Sequence, residues 1–146
     1  ARHRGEVVRL GAGVTLLDDC YNSSPEALLA AVAALALVPG RRRVAVLGDM
    51  LELGASGRAL HREGGRALAG RVDAVLGVGP LAREIVEGAR EAGLPVVEHF
   101  ATAAAAVAAL PDFVRPGDAV LVKGSRGVKL EAVVEALAAR FGEGEA

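Results

Sequence analysis

The sequence is poor in the residues on which several common protein classes depend. Its 146 residues include one cysteine, one tyrosine, three phenylalanines and no tryptophan. The single cysteine, Cys20, excludes an internal disulfide, makes a cysteine-based metal site unexpected and is typical of the reducing cytoplasm. Nucleic-acid-binding domains usually combine a basic surface with aromatic side chains, whereas this chain has few aromatics and a net charge of −1. We therefore expect a cytoplasmic domain without a nucleic-acid partner.

Long apolar runs are also missing. No stretch approaches the ~18–20 uncharged residues that a membrane-spanning helix needs, and no segment has the pattern of a secretion signal. Hydrophobic residues still make up 52% of the chain and charged residues 24%, which is typical of a globular domain. We expect a single domain over residues 1–141 without membrane insertion, followed by a frayed tail over residues 142–146. The chain opens without a methionine, which suggests a piece of a longer protein.

Strand-like and helix-like segments alternate along the chain. Apolar, β-branched runs predict strands at residues 6–10, 14–19, 43–47, 72–78, 96–100 and 119–122, and the first two flank a glycine-containing hairpin turn. Helical spacing of apolar residues begins after Pro25, with Ser24 as N-cap, and recurs at residues 56–69, 81–92, 101–110 and 130–141. Pro111 is expected to end the fourth helix.

This alternation predicts a Rossmann-like, doubly wound α/β domain. Near-continuous apolar strands indicate a sheet that is buried on both faces, as in parallel sheets covered by helices. We expect about six strands, mostly parallel with the first one antiparallel, and helices on both faces.

Polar segments follow four of the predicted strands. They are DDCYN at residues 18–22, GDM at 48–50, GVG at 77–79 and KGSRG at 123–127. Open α/β sheets bind ligands beyond the carboxyl ends of their strands. Three of the four segments place ionisable groups directly after an apolar strand, where burial of charge is costly without a partner. A binding site is therefore expected at this edge.

The turn at residues 77–82 matches a dinucleotide-binding fingerprint, G-x-G-x-x-A, and Glu98 follows at a distance suited to a ribose contact. The turn lies in a middle strand–helix unit, however, and Pro80 removes a backbone N–H from the helix start. A free-standing NAD-binding module therefore remains an alternative. So does a receiver-like module, although its phospho-accepting aspartate would fall within residues 77–79, and so does a purely structural interaction domain.

The segment at residues 123–127 combines cations with glycines ahead of the last predicted helix. Two glycines allow backbone N–H groups to converge on an anion there. Arg126 can hold a carboxylate or phosphate through two parallel bonds, and Lys123 adds a compact charge. Of the 17 basic residues only Lys123 and Lys129 are lysines, and Lys129 is expected on the following helix.

Three motifs together resemble the Mur ligase family. They are DDCYNSSP at residues 18–25, VLGDMLELG at 46–54 with His61 downstream, and VKGSRG at 122–127. Their order and spacing are similar to those in the C-terminal domain of the ligases that add D-alanyl-D-alanine to UDP-N-acetylmuramoyl-tripeptide. The opening RGEVV at residues 4–8 extends the resemblance over essentially the whole chain. The family usually has serine in place of Cys20, and alanine and asparagine in place of Ser23 and Ser24.

The resemblance implies one domain of an ATP-dependent, amide-bond-forming ligase of peptidoglycan precursor synthesis. In the family, one domain holds the UDP-sugar, a central P-loop domain binds ATP with Mg²⁺, and the third domain closes over both. ATP phosphorylates the tripeptide carboxylate, and the amine of D-alanyl-D-alanine attacks the acyl phosphate. The resemblance implies no metal ligand in this chain. It implies ATP contacts from Arg4, Asp19 and Asn22, catalytic roles for Asp49 and Lys123, and substrate contacts from Ser125 and Arg126.

These roles are chemically reasonable. A zwitterionic dipeptide needs a cation for its carboxylate and an acceptor for its ammonium group, and the attacking amine must lose a proton. Arg126 or Lys123 can meet the first need and Asp49 the second. The structural alternatives are that Asp49 caps the loop it begins and that His61 is a packed histidine.

The chain has no phosphate-binding loop of the form G-x-x-x-x-G-K-[ST]. We therefore predict that the 146-residue chain folds by itself but forms no product from ATP, the tripeptide precursor and the dipeptide. Calorimetry should also show ATP binding weaker than micromolar, because contacts to ribose and adenine alone forgo the phosphate contacts. Product formation by the purified chain would contradict this prediction.

Overall fold

Strands and helices alternate through residues 3–20 and 23–142, the part of the chain that a computed structural model describes. The strands are β1 (Glu6–Arg9), β2 (Thr15–Asp19), β3 (Arg42–Gly48), β4 (Ala74–Val78), β5 (Val96–Phe100) and β6 (Asp118–Lys123). The helices are α1 (Pro25–Leu35), α2 (Gly57–Arg66), α3 (Ala82–Glu91), α4 (Ala103–Phe113) and α5 (Glu131–Phe141). Single 3-10 turns occur at Gly54–Ser56 and Arg126–Val128.

The six strands form one sheet in the order β1-β2-β6-β3-β4-β5. β1 pairs antiparallel with β2, and the remaining pairs are parallel. Helices α1 and α3 contribute to the core on one face, where α2 packs against α3, and α4 and α5 contribute to the core on the other. The predicted doubly wound fold is confirmed, with the antiparallel strand where it was expected. No helix in the described part of the chain is both long and apolar enough to cross a bilayer.

Local signals explain most helix boundaries. Ser24 Oγ accepts a hydrogen bond from Ala27 N at 3.1 Å and caps α1, as predicted. Thr102 caps α4 in the same way. The prediction that Pro111 ends this helix is wrong, because α4 continues to Phe113 with the proline inside it. A proline in the last turn removes only one helical hydrogen bond, and the packed helix tolerates that loss.

The end of the chain differs from the prediction in two details. Lys129 lies before α5 and not on it, with a backbone φ of 61°. Gly142, the first residue of the expected tail, accepts a hydrogen bond through its carbonyl from Gly11 N at 3.1 Å. The other tail residues, 143–146, lie outside the described part of the chain.

Helices α2 and α3 approach each other closely enough for their backbones to touch. A methyl group at Gly65 would overlap the carbonyl of Ile85, and one at Gly88 would overlap the carbonyl of Arg62. Each glycine therefore leaves room for the backbone of the opposite helix. This contact sets the separation of the two helices that follow β3 and β4, whose carboxyl ends carry part of the candidate site.

We predict that Gly65→Ala and Gly88→Ala each lower the free energy of unfolding by about 1–3 kcal/mol, the usual cost of forcing extra atoms into a packed contact. Urea denaturation would measure the effect. Gly57→Ala is the matched control in α2, because the added methyl group meets nothing nearer than 3.8 Å. It should leave the stability unchanged or raise it slightly. Equal effects at positions 57 and 65 would contradict the proposed backbone contact.

Candidate functional site

At the carboxyl edge of the sheet, the helices that follow the strands change face on both sides of β6. This strand lies between β2 and β3, yet the helix that follows it, α5, packs on the opposite face from α1 and α2. Loops that leave neighbouring strands towards opposite faces separate, and open α/β sheets bind ligands at such points. The chain topology therefore favours the β2–β6 junction as a binding position, whereas the loops after β6 and β3 are joined by a hydrogen bond from Ser125 N to the carbonyl of Asp49.

A cavity of about 570 Å³ lies at the junction of β2 and β6, with Arg4, Asp19 and Lys123 in its lining. Asp19 and Lys123 are register partners at the ends of the two strands. Lys123 Nζ lies 2.6 Å from Asp19 Oδ2, and only 3% of the lysine side chain is exposed. The buried lysine depends on such a partner, because an unpaired ammonium group would be poorly solvated there. The pair fixes the lysine ammonium group at the cavity wall.

Asp49, which follows β3, caps the N-terminus of α3 through its side chain. Its Oδ1 accepts a hydrogen bond from Ala82 N at 2.7 Å, and the residue is 4% exposed. A carboxylate at a helix N-terminus pairs with a free backbone amide and interacts favourably with the helix dipole. A side chain at Gly79 would overlap this carboxylate. The second glycine of the dinucleotide-like turn therefore makes room for Asp49.

His61 and Ser125 hold the next two residues of the same loop. Met50 N donates to His61 Nε2 at 2.8 Å, and His61 Nδ1 lies 2.6 Å from the carbonyl of Gly57. Both contacts are satisfied by the neutral tautomer that carries its proton on Nδ1. Leu51 N donates to Ser125 Oγ at 2.8 Å. The fully buried histidine is thus a packed residue that positions the loop, the alternative anticipated from the sequence.

A second cavity, of about 410 Å³, lies beside this loop and is lined in part by Asp49, Thr102 and Lys129. Near its rim, Glu52 and Lys129 have φ values of 63° and 61°. Left-handed backbone is uncommon for residues other than glycine, and it tends to occur where function or tight packing enforces it. The position of Lys129 on this cavity gave no signal in the sequence, because its spacing fitted a continuous helix.

The resemblance assigned catalytic roles to both Asp49 and Lys123, but in the structure these two residues line different cavities. Arg4 and Asp19 share a cavity, as expected for one ligand, but Lys123 joins them there while Asp49 lines the second cavity. Ser125 lies beside the Asp49 loop. Two predictions fall outside the description: Asn22 is not among the described residues, and the side chain of Arg126 is not described.

The expected anion-binding loop at residues 123–127 is only partly open. Ser125 N donates to the carbonyl of Asp49 at 3.0 Å, and Val128 N donates to the carbonyl of Ser125 at 3.0 Å. The Ser125 amide therefore points into the protein, whereas the Val128 amide, which follows the loop, closes the 3-10 turn. Gly124 also has a packing role, because a side chain there would meet Gly48 Cα at 3.0 Å. It permits close packing of the two loops beside β6 and β3.

A family profile described as "Mur ligase, glutamate ligase domain" matches residues 3–126. The chain belongs to the Mur ligase family. The UDP-N-acetylmuramoyl-tripeptide–D-alanyl-D-alanine ligase of Mycobacterium tuberculosis is 39% identical, with 95% of this chain and 31% of that protein aligned. The ligase of the same name from Synechocystis is 42% identical, over 88% of this chain and 28% of that protein.

A solved structure supports the same assignment. The MurF ligase of Thermotoga maritima, crystallised in complex with ADP, aligns with a TM-score of 0.79 and 32% identity, over 96% of this chain and 31% of that one. This Mur ligase domain thus spans about a third of the length of the relatives it matches. The alternatives of a free-standing NAD-binding or receiver-like module are not favoured. In a dinucleotide-binding turn the amide of Ala82 would face the pyrophosphate, but here it donates its hydrogen bond to Asp49 Oδ1.

We predict that Ser125→Ala lowers the free energy of unfolding by about 0.5–1.5 kcal/mol, because Leu51 N loses its hydrogen-bond acceptor. Thermal and urea denaturation would measure the change. Ser56→Ala is the matched control, since this exposed serine makes no side-chain capping bond to α2. An equal change in both variants would show that the Ser125 hydroxyl does not hold the loop.

Proposed function

We propose that this chain is the C-terminal domain of a ligase that adds D-alanyl-D-alanine to UDP-N-acetylmuramoyl-tripeptide with ATP. The observation that carries the proposal is the buried Lys123–Asp19 pair, which shares a cavity with Arg4 at the carboxyl edge of the sheet. The relatives of that name, and the Thermotoga ligase that binds ADP, support it. The UDP-sugar and the P-loop that holds ATP with Mg²⁺ would belong to domains outside this chain.

The larger cavity suits a nucleotide. Its volume of about 570 Å³ lies within the usual range for small-molecule sites. The side towards α1 is lined by small apolar residues, including Ala27, Ala31 and Ala34, which can lie against a flat base. Asp19 supplies acceptors for ribose hydroxyls, and Arg4 can hold a phosphate through parallel hydrogen bonds. We assign Asn22 to the same nucleotide on the resemblance.

Mg²⁺ fits this cavity poorly. It binds through carboxylate oxygens, and Asp19 is the one carboxylate in the described lining of the cavity, where it already pairs with Lys123. Residues of the central domain would therefore hold the ion. When bound, ATP supplies the phosphoryl group that activates the tripeptide carboxylate.

The second cavity suits the small dipeptide. Alanines and glycines form much of its lining, and Asp49 supplies a carboxylate. One Asp49 oxygen accepts from Ala82 N, so the group is fixed in position while lone pairs remain to accept from an ammonium group. Ser125 can still donate its hydroxyl proton to a ligand. Arg126, which follows directly, would bind the dipeptide carboxylate.

Lys123 connects the two parts of the proposed site. It ends the strand that lies between β2 and β3, and its ammonium group is held by Asp19 on the nucleotide side. We assign it to the transferred phosphate, where a compact charge neutralises developing negative charge without filling a crowded site. Asp19 therefore has two roles, contact with the ribose and orientation of the lysine.

In the longer protein that carries this domain, we predict that Lys123→Arg lowers kcat/KM by at least ~10-fold although the charge is kept. The guanidinium group is larger and planar, so it cannot reproduce a buried single-point contact whose loss is worth about 1.5–3 kcal/mol. Steady-state kinetics with ATP, the tripeptide precursor and D-alanyl-D-alanine would measure it.

The matched control is Arg83→Lys, a charge-conserving change at an exposed position of α3. It should leave kcat/KM near the wild-type value. Lys129 is unsuitable as a control, because it lines the proposed dipeptide cavity. Wild-type kinetics for Lys123→Arg would overturn the role of Lys123. Absence of any dipeptide-adding activity in the wild-type longer protein would overturn the proposed function.

A further inference from the structure

Four side chains that can bind metal ions lie on the face of the sheet opposite the nucleotide cavity. Successive residues of a strand point to opposite faces, so Asp18 and Cys20 face α5 whereas Asp19 faces α1. His3 Nδ1 lies 2.6 Å from Asp18 Oδ2, and Cys20 Sγ lies 3.2 Å from Asp18 Oδ1. Glu131, the first residue of α5, places Oε1 3.9 Å from the same sulfur.

These distances suit a small tetrahedral site. The donor atoms of His3, Asp18 and Cys20 all lie within 4.8 Å of one another. Ligand atoms around Zn²⁺ are about 3–4 Å apart, given metal–ligand bonds of about 2.0–2.3 Å. Small side-chain rotations would therefore bring the three groups around one ion. Glu131 lies outside this group of three, but its Oε1 is 3.9 Å from Cys20 Sγ, so a rotation of its side chain can supply a fourth ligand. We propose that His3, Asp18, Cys20 and Glu131 form a binding site for Zn²⁺ or a similar divalent transition metal.

The chemistry of the group favours an ion of this type. A thiolate and an imidazole select borderline and soft metals over Mg²⁺ or Ca²⁺, which prefer oxygen ligands only. Two carboxylates beside a thiolate would leave excess negative charge in a buried place, which a divalent cation offsets. Cys20 is fully buried and Asp18 is 2% exposed. His3 and Glu131 are less buried and provide a path from solvent.

Binding exchanges a proton for the metal. Without a metal, the Cys20 thiol donates its proton in a hydrogen bond to Asp18 Oδ1 at 3.2 Å. Coordination breaks the S–H bond, forms a metal–sulfur bond and releases the proton to solvent. His3 can coordinate through Nδ1 by moving its proton to Nε2. Apparent affinity should therefore increase as the pH rises.

The site ties the residues before β1 to both β2 and α5. Asp18 belongs to β2, and Glu131 begins the helix that follows the candidate substrate-binding loop. An ion bound here would hold these elements together and stabilise the native state by mass action. The proposal does not depend on the ligase function, because the four side chains lie outside both proposed substrate cavities.

Titration of the full 146-residue chain with Co²⁺ tests the proposal directly. A thiolate bound to Co²⁺ absorbs in the near ultraviolet, and tetrahedral Co²⁺ has visible bands. Since Cys20 is the one cysteine of the chain, a thiolate band can come only from this site. We expect a saturable band with one Co²⁺ per chain, its displacement by Zn²⁺, release of about one proton per ion, and a higher melting temperature with Zn²⁺.

Variants assign the band to the proposed ligands. Cys20→Ser should abolish it, His3→Ala should weaken Co²⁺ binding by at least ~10-fold, and Glu131→Gln should weaken it more than Glu135→Gln, a matched change at an exposed position of α5. His3→Ala removes a group at the edge of the fold, so it tests the site even if Cys20→Ser fails to fold. Absence of the band from the wild type, or unchanged affinity in His3→Ala, would overturn the proposal.

Discussion

The register of β6 between β2 and β3 is the constraint on which both proposed substrate cavities depend. At its start, Asp118 accepts from Arg42 of β3 through Oδ1 at 3.1 Å and Oδ2 at 2.8 Å. At its end, Lys123 pairs with Asp19 of β2. Asp118 and Lys123 are buried, so a shift of one residue would turn both charges to the wrong face and leave them without partners. Hydrophobic burial drives this strand into the sheet, and the two ion pairs specify its position.

In this register the two faces of the sheet carry different proposed sites. Asp19 and Lys123 point towards α1, where they line the larger cavity. Asp18 and Cys20, each one residue away from Asp19, point towards α5 and meet His3 and Glu131. Successive side chains of a strand point to opposite faces of the sheet. Three consecutive residues of β2 and its end thus contribute to a proposed nucleotide site on one face and a proposed metal site on the other.

The loop after β3 illustrates how hydrogen bonds to neighbouring elements can hold a site in position. Three consecutive residues are fixed, by α3 through Asp49, by α2 through His61, and by the loop after β6 through Ser125. Such bracing reduces the conformational freedom that a ligand would otherwise have to remove on binding.

The sequence by itself determined the α/β alternation, the antiparallel first strand and the edge of the sheet where polar residues gather. Apolar periodicity and glycine or proline signals act over a few residues, so they can be read locally. Those local signals failed at Pro111 and Lys129, where packing permits a proline inside a helix and left-handed backbone at a lysine. The motifs that resemble the Mur ligases were likewise visible as short runs of residues.

Only the tertiary structure decided which of these residues meet. Lys123 and Asp19 are separated by 104 residues, and Cys20 and Glu131 by 111, so their contacts depend on the strand order and not on local spacing. No local pattern indicated that a lone cysteine would have an imidazole and two carboxylates for neighbours. Those neighbours come from the start of the chain, from β2 and from α5, and only the closed sheet with its packed helix brings them together.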